Sequence, residues 1–423
     1  MKFEMKERLL TMMTFLAILA ITLVVSCGGS GSGKDAPDEL GNSSGTALSS
    51  VDKYWADGYT GKLGIQLGKL PASSPKAGET RMYLGGELLY VTGVNCYNLF
   101  VQCHESDNMN TDLMEKTVQV LSEEKVPIVR FSCSPYYSSQ MHFYIDQKEK
   151  YLSNLSKLAD LCDENHILLM PSIFWNSACI PEYFGEDLAA WGKTDSKTYA
   201  FMVSYTTEIV NVLKKHKCLA AWEFGNEFNL QADIASEGYP EISAAAISAA
   251  YEGFARTVRN LDDQGRIICS GNSVMRNAQW HRAKQGNWTN DSYDQYEEIT
   301  GVFTPSPMNG MSEHIYEEPR VFSDKGSVNL TYQLMNAKNV AASLGKVYYI
   351  GEFTGPKTAS GDSSMVKKHY IAQYAQKIQL SLIWNYAYDG DVEWSFKAGT
   401  EYGDMAFGLM RRYNELFKKM KPE

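Results

Sequence analysis

Beyond Arg81 the chain alternates short apolar, β-branched runs with longer segments whose apolar positions recur every three or four residues. The runs fall at 88–94, 127–132, 167–174, 219–224, 266–270, 311–316, 346–351 and 381–386, and each predicts a buried strand. Between them, Met114, Val118 and Leu121 share a helical face. So do Leu152, Leu155, Ala159 and Cys162, then Tyr199, Met202, Val203, Ile209 and Leu213, then Tyr251, Phe254, Ala255, Val258 and Leu261. Asp112 and Ser196 occupy N-cap positions, and a last helix is predicted over 404–418. Eight β-then-α units whose strands start 35 to 52 residues apart predict an α/β fold, a (β/α)8 TIM barrel. An open doubly wound sheet would want Gly-x-Gly-x-x-Gly after its first strand, and Gly93 to Asn98 does not supply it. Ahead of the barrel, residues 81–84 and 87–90 flank Gly85-Gly86, the signal for a short N-terminal β-hairpin, expected to lie over the barrel bottom. The sequence displays no second domain and no internal repeat.

The first residues follow a different pattern. Lys2, Lys6 and Arg8 precede an almost wholly apolar stretch over 9–25, which reads as a secretory signal over 1–26. An uncleaved anchor helix is the rival reading. Val24-Val25-Ser26-Cys27-Gly28-Gly29 resembles the bacterial lipobox, which makes Cys27 the expected lipidation site and the protein an exported lipoprotein facing the periplasm or cell surface. Residues 27–50 are Gly/Ser-rich and read as a flexible, lipid-anchored linker, 51–80 as a lead-in, and 81–423 as the folded domain. Charge narrows the partners. The 423 residues carry a formal −10, and residues 1–26 a net +1, so the remainder at −11 offers neither nucleic acid nor anionic lipid a basic face. Any membrane contact is then left to the lipid. The seven cysteines beyond Cys27 form no Cys-x-x-Cys pair and read as small buried hydrophobes, although export permits a disulfide and Cys96 and Cys103 lie nearest in sequence. Aromatic residues make up 12% of the chain, a composition compatible with binding sugar rings.

A barrel of this kind carries its chemistry at the C-terminal ends of its strands. In order these present Asn95, Arg130, Trp175-Asn176, Asn226-Glu227, His314 with Tyr316, Glu352 and Trp384. Glu227 and Glu352, ending the fourth and seventh strands, are expected to face each other across the cleft. Two such carboxylates are what glycoside hydrolysis requires, about 5–5.5 Å apart in a retaining enzyme and about 6.5–9.5 Å in an inverting one. Glu223, inside the fourth strand, is expected to be a hydrogen-bonded support, and Glu313, Glu317 and Glu318 to be exposed or in the cleft. The seven His lack metal-ligand spacing and no Gly-x-Ser-x-Gly occurs, so the reading includes neither a metal, nor a cofactor, nor a serine nucleophile.

Trp222-Glu223-Phe224-Gly225-Asn226-Glu227, His314-Ile315-Tyr316, Ile350-Gly351-Glu352-Phe353 and Trp384, with Tyr90 to Asn95 as the opening strand, resemble the retaining β-glycanases of glycoside hydrolase family 5. The resemblance implies a (β/α)8 barrel with Glu227 as acid/base and Glu352 as nucleophile. It further implies Asn226 on the 2-hydroxyl, Tyr316 and Arg130 beside Glu352, where they are expected to hold its pKa down, His314 lining the same subsite, and Trp384 as its apolar floor. Trp175, Asn176 and Trp394 join the expected sugar contacts. Two positions depart from the family pattern: Phe174-Trp175-Asn176 stands where many members place a His, and Phe228 replaces a frequent Pro. The expectation is a monomeric, endo-acting β-glycosidase for β-1,4-linked mannan or glucan. Its rivals are an inactive carbohydrate-binding barrel of a glycan-capture system and an exo-acting or transglycosylating relative.

Overall fold

The computed structural model describes residues 48–104, 108–234, 241–316, 320–354, 363–389 and 395–420. Contacts divide the chain into Met1–Ser44 and Gly45–Glu423, and all described residues belong to the second unit. Residues 1–27, with the expected signal and Cys27, therefore lie outside the description, as do Glu317, Glu318 and Trp394. Among the described residues no helix is long and apolar enough to cross a membrane.

Eight parallel strands close into a barrel: Val91–Asn95, Ile128–Ser132, Leu168–Phe174, Trp222–Gly225, Ile268–Cys269, Gly310–Ile315, Val347–Phe353 and Leu380–Ile383, called here the first to the eighth. Closure comes from the last pairing with the first, Leu380 opposite Val91 through Ile383 opposite Val94. Each strand is buried on both faces, which is why the runs read as continuous apolar stretches rather than alternating ones. One apolar layer packs the strands against the surrounding helices, among them Lys148–Glu164, Lys197–Leu213 and Ala244–Leu261. Ser196 caps its helix, its side chain accepting from the Tyr199 N–H at 3.0 Å. Asp112 does not act as an N-cap: it is the first residue of the helix Asp112–Glu123, behind Thr111, where its charge favours the helix N-terminus. The last helix runs Glu401–Phe417, beginning three residues earlier than predicted because Thr400 caps it.

The expected hairpin is part of a larger element. Ile65–Lys69, Thr80–Leu84 and Glu87–Leu88 form a three-stranded antiparallel sheet whose second turn is Gly85-Gly86, both at positive φ. Residues 87–88 therefore leave the first barrel strand, which starts at Val91. Ile65 donates its N–H to the Ala220 carbonyl at 2.7 Å and accepts from Ile267 at 2.9 Å, which fastens the sheet to the starts of the fourth and fifth strands. Tyr54, Ile65, Met82 and Leu84 then meet Ile128, Leu168, Met170, Tyr349 and Leu382 in a second apolar cluster that plugs the N-terminal end of the barrel. The opposite end is left to function. All seven cysteines of this unit are free and buried, so neither Cys96 nor Cys103 is in a disulfide.

Candidate active site

Arg130, in the middle of the second strand, has a fully buried side chain, and a buried cation must be paired and hydrogen-bonded. Its Nε donates to Glu223 Oε1 at 2.7 Å, Nη1 to Glu352 Oε1 at 2.8 Å and to Asn95 Oδ1 at 3.0 Å, and Nη2 to Asn226 Oδ1 at 2.8 Å. Its Cζ also lies 4.6 Å from the Trp175 ring centroid. One guanidinium thus fixes side chains from the first, third, fourth and seventh strands, a task that needs its rigid fork and that a lysine cannot perform. The second oxygen of Glu223 accepts from Tyr349 Oη at 2.5 Å, so Glu223 is a support beneath the site, as expected. Asn95 passes the constraint on, donating to the Gly351 carbonyl at 2.9 Å.

Backbone irregularities aim the two carboxylates. Along the seventh strand Tyr349 points into the barrel and Ile350 outward, so strict alternation would turn Glu352 outward as well. The pairing register slips at Gly351 against both neighbours, Ile350 opposite Glu313 but Glu352 opposite His314, and this bulge returns Glu352 to the interior. A Cβ on Gly351 would lie 2.7 Å from His314 Nε2, so the position is restricted to glycine by its neighbour. Glu227 adopts φ 55°, ψ 30°, uncommon for a residue with a side chain, and its N–H donates to the Gly271 carbonyl at 2.9 Å.

His314 sits between the carboxylates, Nδ1 at 2.9 Å from Glu227 Oε1 and 3.4 Å from Glu352 Oε1. One ligand atom each from Glu227, His314 and Glu352 lie within 4.8 Å of one another, the grouping among the described residues that has donors for a metal ion. Arg130 already supplies positive charge at Glu352, so the trio is read as a proton-transfer cluster. Burial pushes His314 down to about 4, which leaves its ring neutral. Burial likewise raises Glu227 and Glu352, outweighing Arg130, His314 and Tyr316 on the latter; the expectation that Arg130 and Tyr316 hold Glu352 low is corrected by its lack of solvent. The two carboxyls still differ. Glu352 receives Arg130 and, at 2.5 Å, Tyr316 Oη, both of which favour its anion, whereas Glu227 faces a neutral His314 and is 23% exposed. A single proton held by the pair therefore resides on Glu227.

A family model described as Cellulase (glycosyl hydrolase family 5) matches residues 93–391, a span running from the first barrel strand to just beyond the eighth. The chain belongs to glycoside hydrolase family 5. Solved structures agree on the fold. The endo-1,4-β-mannanase of Rhizomucor miehei superposes with TM-score 0.59 at 14% identity, over 84% of this chain and 99% of that one. The endo-β-1,4-mannanase of Thermotoga petrophila gives 0.54 at 12%, over 78% and 77%, and the endoglucanase catalytic domain of Thermobifida fusca 0.51 at 16%, over 86% and 100%. No curated protein is matched by sequence.

The remaining expected residues of this family 5 site divide by environment. Trp384 is half-buried and stacks with Tyr97 at 6.0 Å and Trp175 at 6.2 Å between centroids, giving an aromatic wall over Arg130. Trp175 is only 6% exposed and turns a face to the guanidinium, so the accessible ring area belongs to Trp384 and Tyr97. Asn176 is committed to the protein backbone, donating to the Tyr136 carbonyl in the loop after the second strand at 2.9 Å and accepting from the Ala178 N–H of its own loop at 3.0 Å. Glu313 is fully buried and outside the cleft, contrary to expectation: strand alternation sends it outward to Tyr296 Oη at 2.7 Å and Tyr348 Oη at 3.2 Å. Three residues were missed: Tyr97, two positions beyond Asn95, and Ser273 and Arg276, which follow the fifth strand and act on Glu227. Tyr97 carried a usable signal, since it follows a strand end. Ser273 and Arg276 lie in a long loop with no motif to mark them.

Proposed function

We propose that this family 5 glycoside hydrolase is a retaining, endo-acting β-glycosidase of β-1,4-linked mannan or glucan. The observation that carries the reading is the pair of carboxylate oxygens within 4.8 Å, one clamped as an anion by Arg130 and Tyr316, the other beside a neutral histidine. That spacing is nearer the separation of about 5–5.5 Å used for direct attack than the wider gap that admits the water of inversion, and it supports retention. Glu227 donates its proton to the glycosidic oxygen as the C1–O bond breaks, and Glu352 attacks C1 to form a glycosyl-enzyme ester. Glu227, now a carboxylate, takes a proton from the water that hydrolyses this ester. Asn226, its oxygen held by Arg130, offers its NH2 to the 2-hydroxyl, a bond that strengthens as positive charge grows on the ring. Trp384 and Tyr97 stack on the apolar face of the pyranose.

The test is incubation with mannan and β-1,4-glucan panels, following reducing-end release and the anomeric form of the first product by NMR. Expected are release from within chains and an initial β-anomer. An initial α-anomer would overturn retention, and a parent that binds but never cleaves would favour the glycan-capturing barrel. Export as a lipoprotein is proposed on the lipobox alone; Cys27→Ser is expected to move the protein from the detergent phase to the aqueous phase of a membrane extract.

A further inference from the structure

The turn that carries Glu227 is stitched to the loop after the fifth strand. Asn229, fully buried, donates to the Ser273 carbonyl at 3.1 Å and accepts from the Ser273 N–H at 3.0 Å, and Glu227 itself is tied to Gly271. Arg276, half-buried at the end of this stitch, spends Nη1 on the Asn229 carbonyl at 3.3 Å and Nη2 on the Leu230 carbonyl. Both partners are neutral. Among the described residues Glu227 is the anion that acts on Arg276, while Arg282 is its cationic neighbour.

We propose that Arg276 is a positioning residue for Glu227, clamping the turn that carries it and supplying the positive charge against which its proton departs. This rests on Glu227 being the acid of the reading above. With Glu227 protonated, Arg276 has no counter-charge from it. As the proton passes to the glycosidic oxygen and the C1–O bond breaks, a carboxylate appears beside a fixed guanidinium, so the attraction is greatest where charge has developed, in the transition state. Burial, with Arg282 nearby, depresses Arg276 to about 10 even though ionised Glu227 acts to raise it. The other groups acting on or facing Glu227 are Arg130 from the second strand, His314 and Tyr316 from the sixth, Glu352 from the seventh and Ser273 from the fifth-strand loop. Of these, Arg130 is the other cation, and it is already paired with Glu223 and Glu352.

The experiment compares Arg276→Met, Arg276→Gln and Arg276→Lys with the parent. Each is assayed on an oligosaccharide of β-1,4-linked sugars and on a 2,4-dinitrophenyl β-glycoside, whose leaving group needs no protonation. For the neutral variants kcat/KM on the oligosaccharide is expected to fall roughly tenfold, and the alkaline limb of its pH profile to move up by about one unit, because removing a nearby cation weakens the acid. On the dinitrophenyl glycoside kcat/KM should stay within about twofold of the parent, since that step does not use the acid. Arg276→Lys, which keeps the charge, should hold the alkaline limb in place. Equal losses on both substrates, an unmoved alkaline limb, or neutral variants that fail to fold while Arg276→Lys folds would assign Arg276 to structure alone and overturn the proposal. A parent inactive on both substrates would instead defeat the glycosidase reading itself.

Discussion

Arg130, Glu352 and Glu227 show how identical side chains come to differ. Both carboxyls are raised by burial from the ordinary 4.5, but Glu352 is bonded directly by the Arg130 guanidinium and the Tyr316 hydroxyl, whereas the side-chain donor that lowers Glu227 is the neutral Ser273. Activity should rise with pH as Glu352 ionises and fall as Glu227 loses its proton. The kcat/KM profile is therefore expected to be a bell whose two limbs both lie above 4.5, checked by rates across pH on one oligosaccharide. Glu352→Gln should cost roughly 10⁴–10⁶-fold in kcat on every substrate. Glu227→Gln should cost about 10²–10⁴-fold on sugars and far less in kcat/KM on a dinitrophenyl glycoside. Gly351→Ala drives a methyl to within 2.7 Å of His314 Nε2. It should destabilise the fold by about 1–3 kcal/mol and lower kcat, measured by urea unfolding and assay. Sequence motifs identified both glutamates, because Asn-Glu and Gly-Glu are local. They missed Arg276, whose relation to Glu227 exists only through space.

At the scale of elements, the helices pack through layers that include buried imidazoles. His104 stacks on Phe143 at 5.3 Å and Tyr151 at 4.8 Å, and His369 on Phe353 at 5.5 Å, with no hydrogen-bond partner on either ring among the described residues. Burial drives His104 down to about 3 and His369 to about 4, from 6.5. The sign follows directly: between these values and 6.5 the unfolded chain binds a proton that the folded one refuses. The stability these residues contribute is complete above 6.5 and is lost as pH falls towards 4. Each should account for about 2 kcal/mol of the loss between pH 7 and pH 5. His104→Phe is expected to flatten the dependence of unfolding free energy on pH over that window. A steeper or unchanged slope would contradict it.

For the whole molecule, the barrel divides labour between its ends. The N-terminal end is sealed by the three-stranded sheet, with Ile65 fully buried among strand starts, while the C-terminal end gathers the polar cluster. Ile65→Ala should cost about 2–5 kcal/mol in urea unfolding while leaving kcat/KM unchanged, since no catalytic group touches it.

Hydrophobic periodicity pointed to the eight strands, the helices after the first four and the closed barrel, because strand burial and helical faces are consequences of neighbours a few positions apart in the chain. The order of strand ends then brought Glu227, Glu352, Arg130 and His314 to one mouth. Contacts between distant segments decided the rest. Ile65–Lys69 forms a strand only because Thr80–Leu84 and the barrel bottom receive it, and Glu352 faces inward only because the register slips at Gly351. Asn176, expected to meet sugar, is claimed by a carbonyl forty residues away in the chain. Periodicity assigns a residue to a face, but hydrogen bonds across the fold choose what that residue is left free to do.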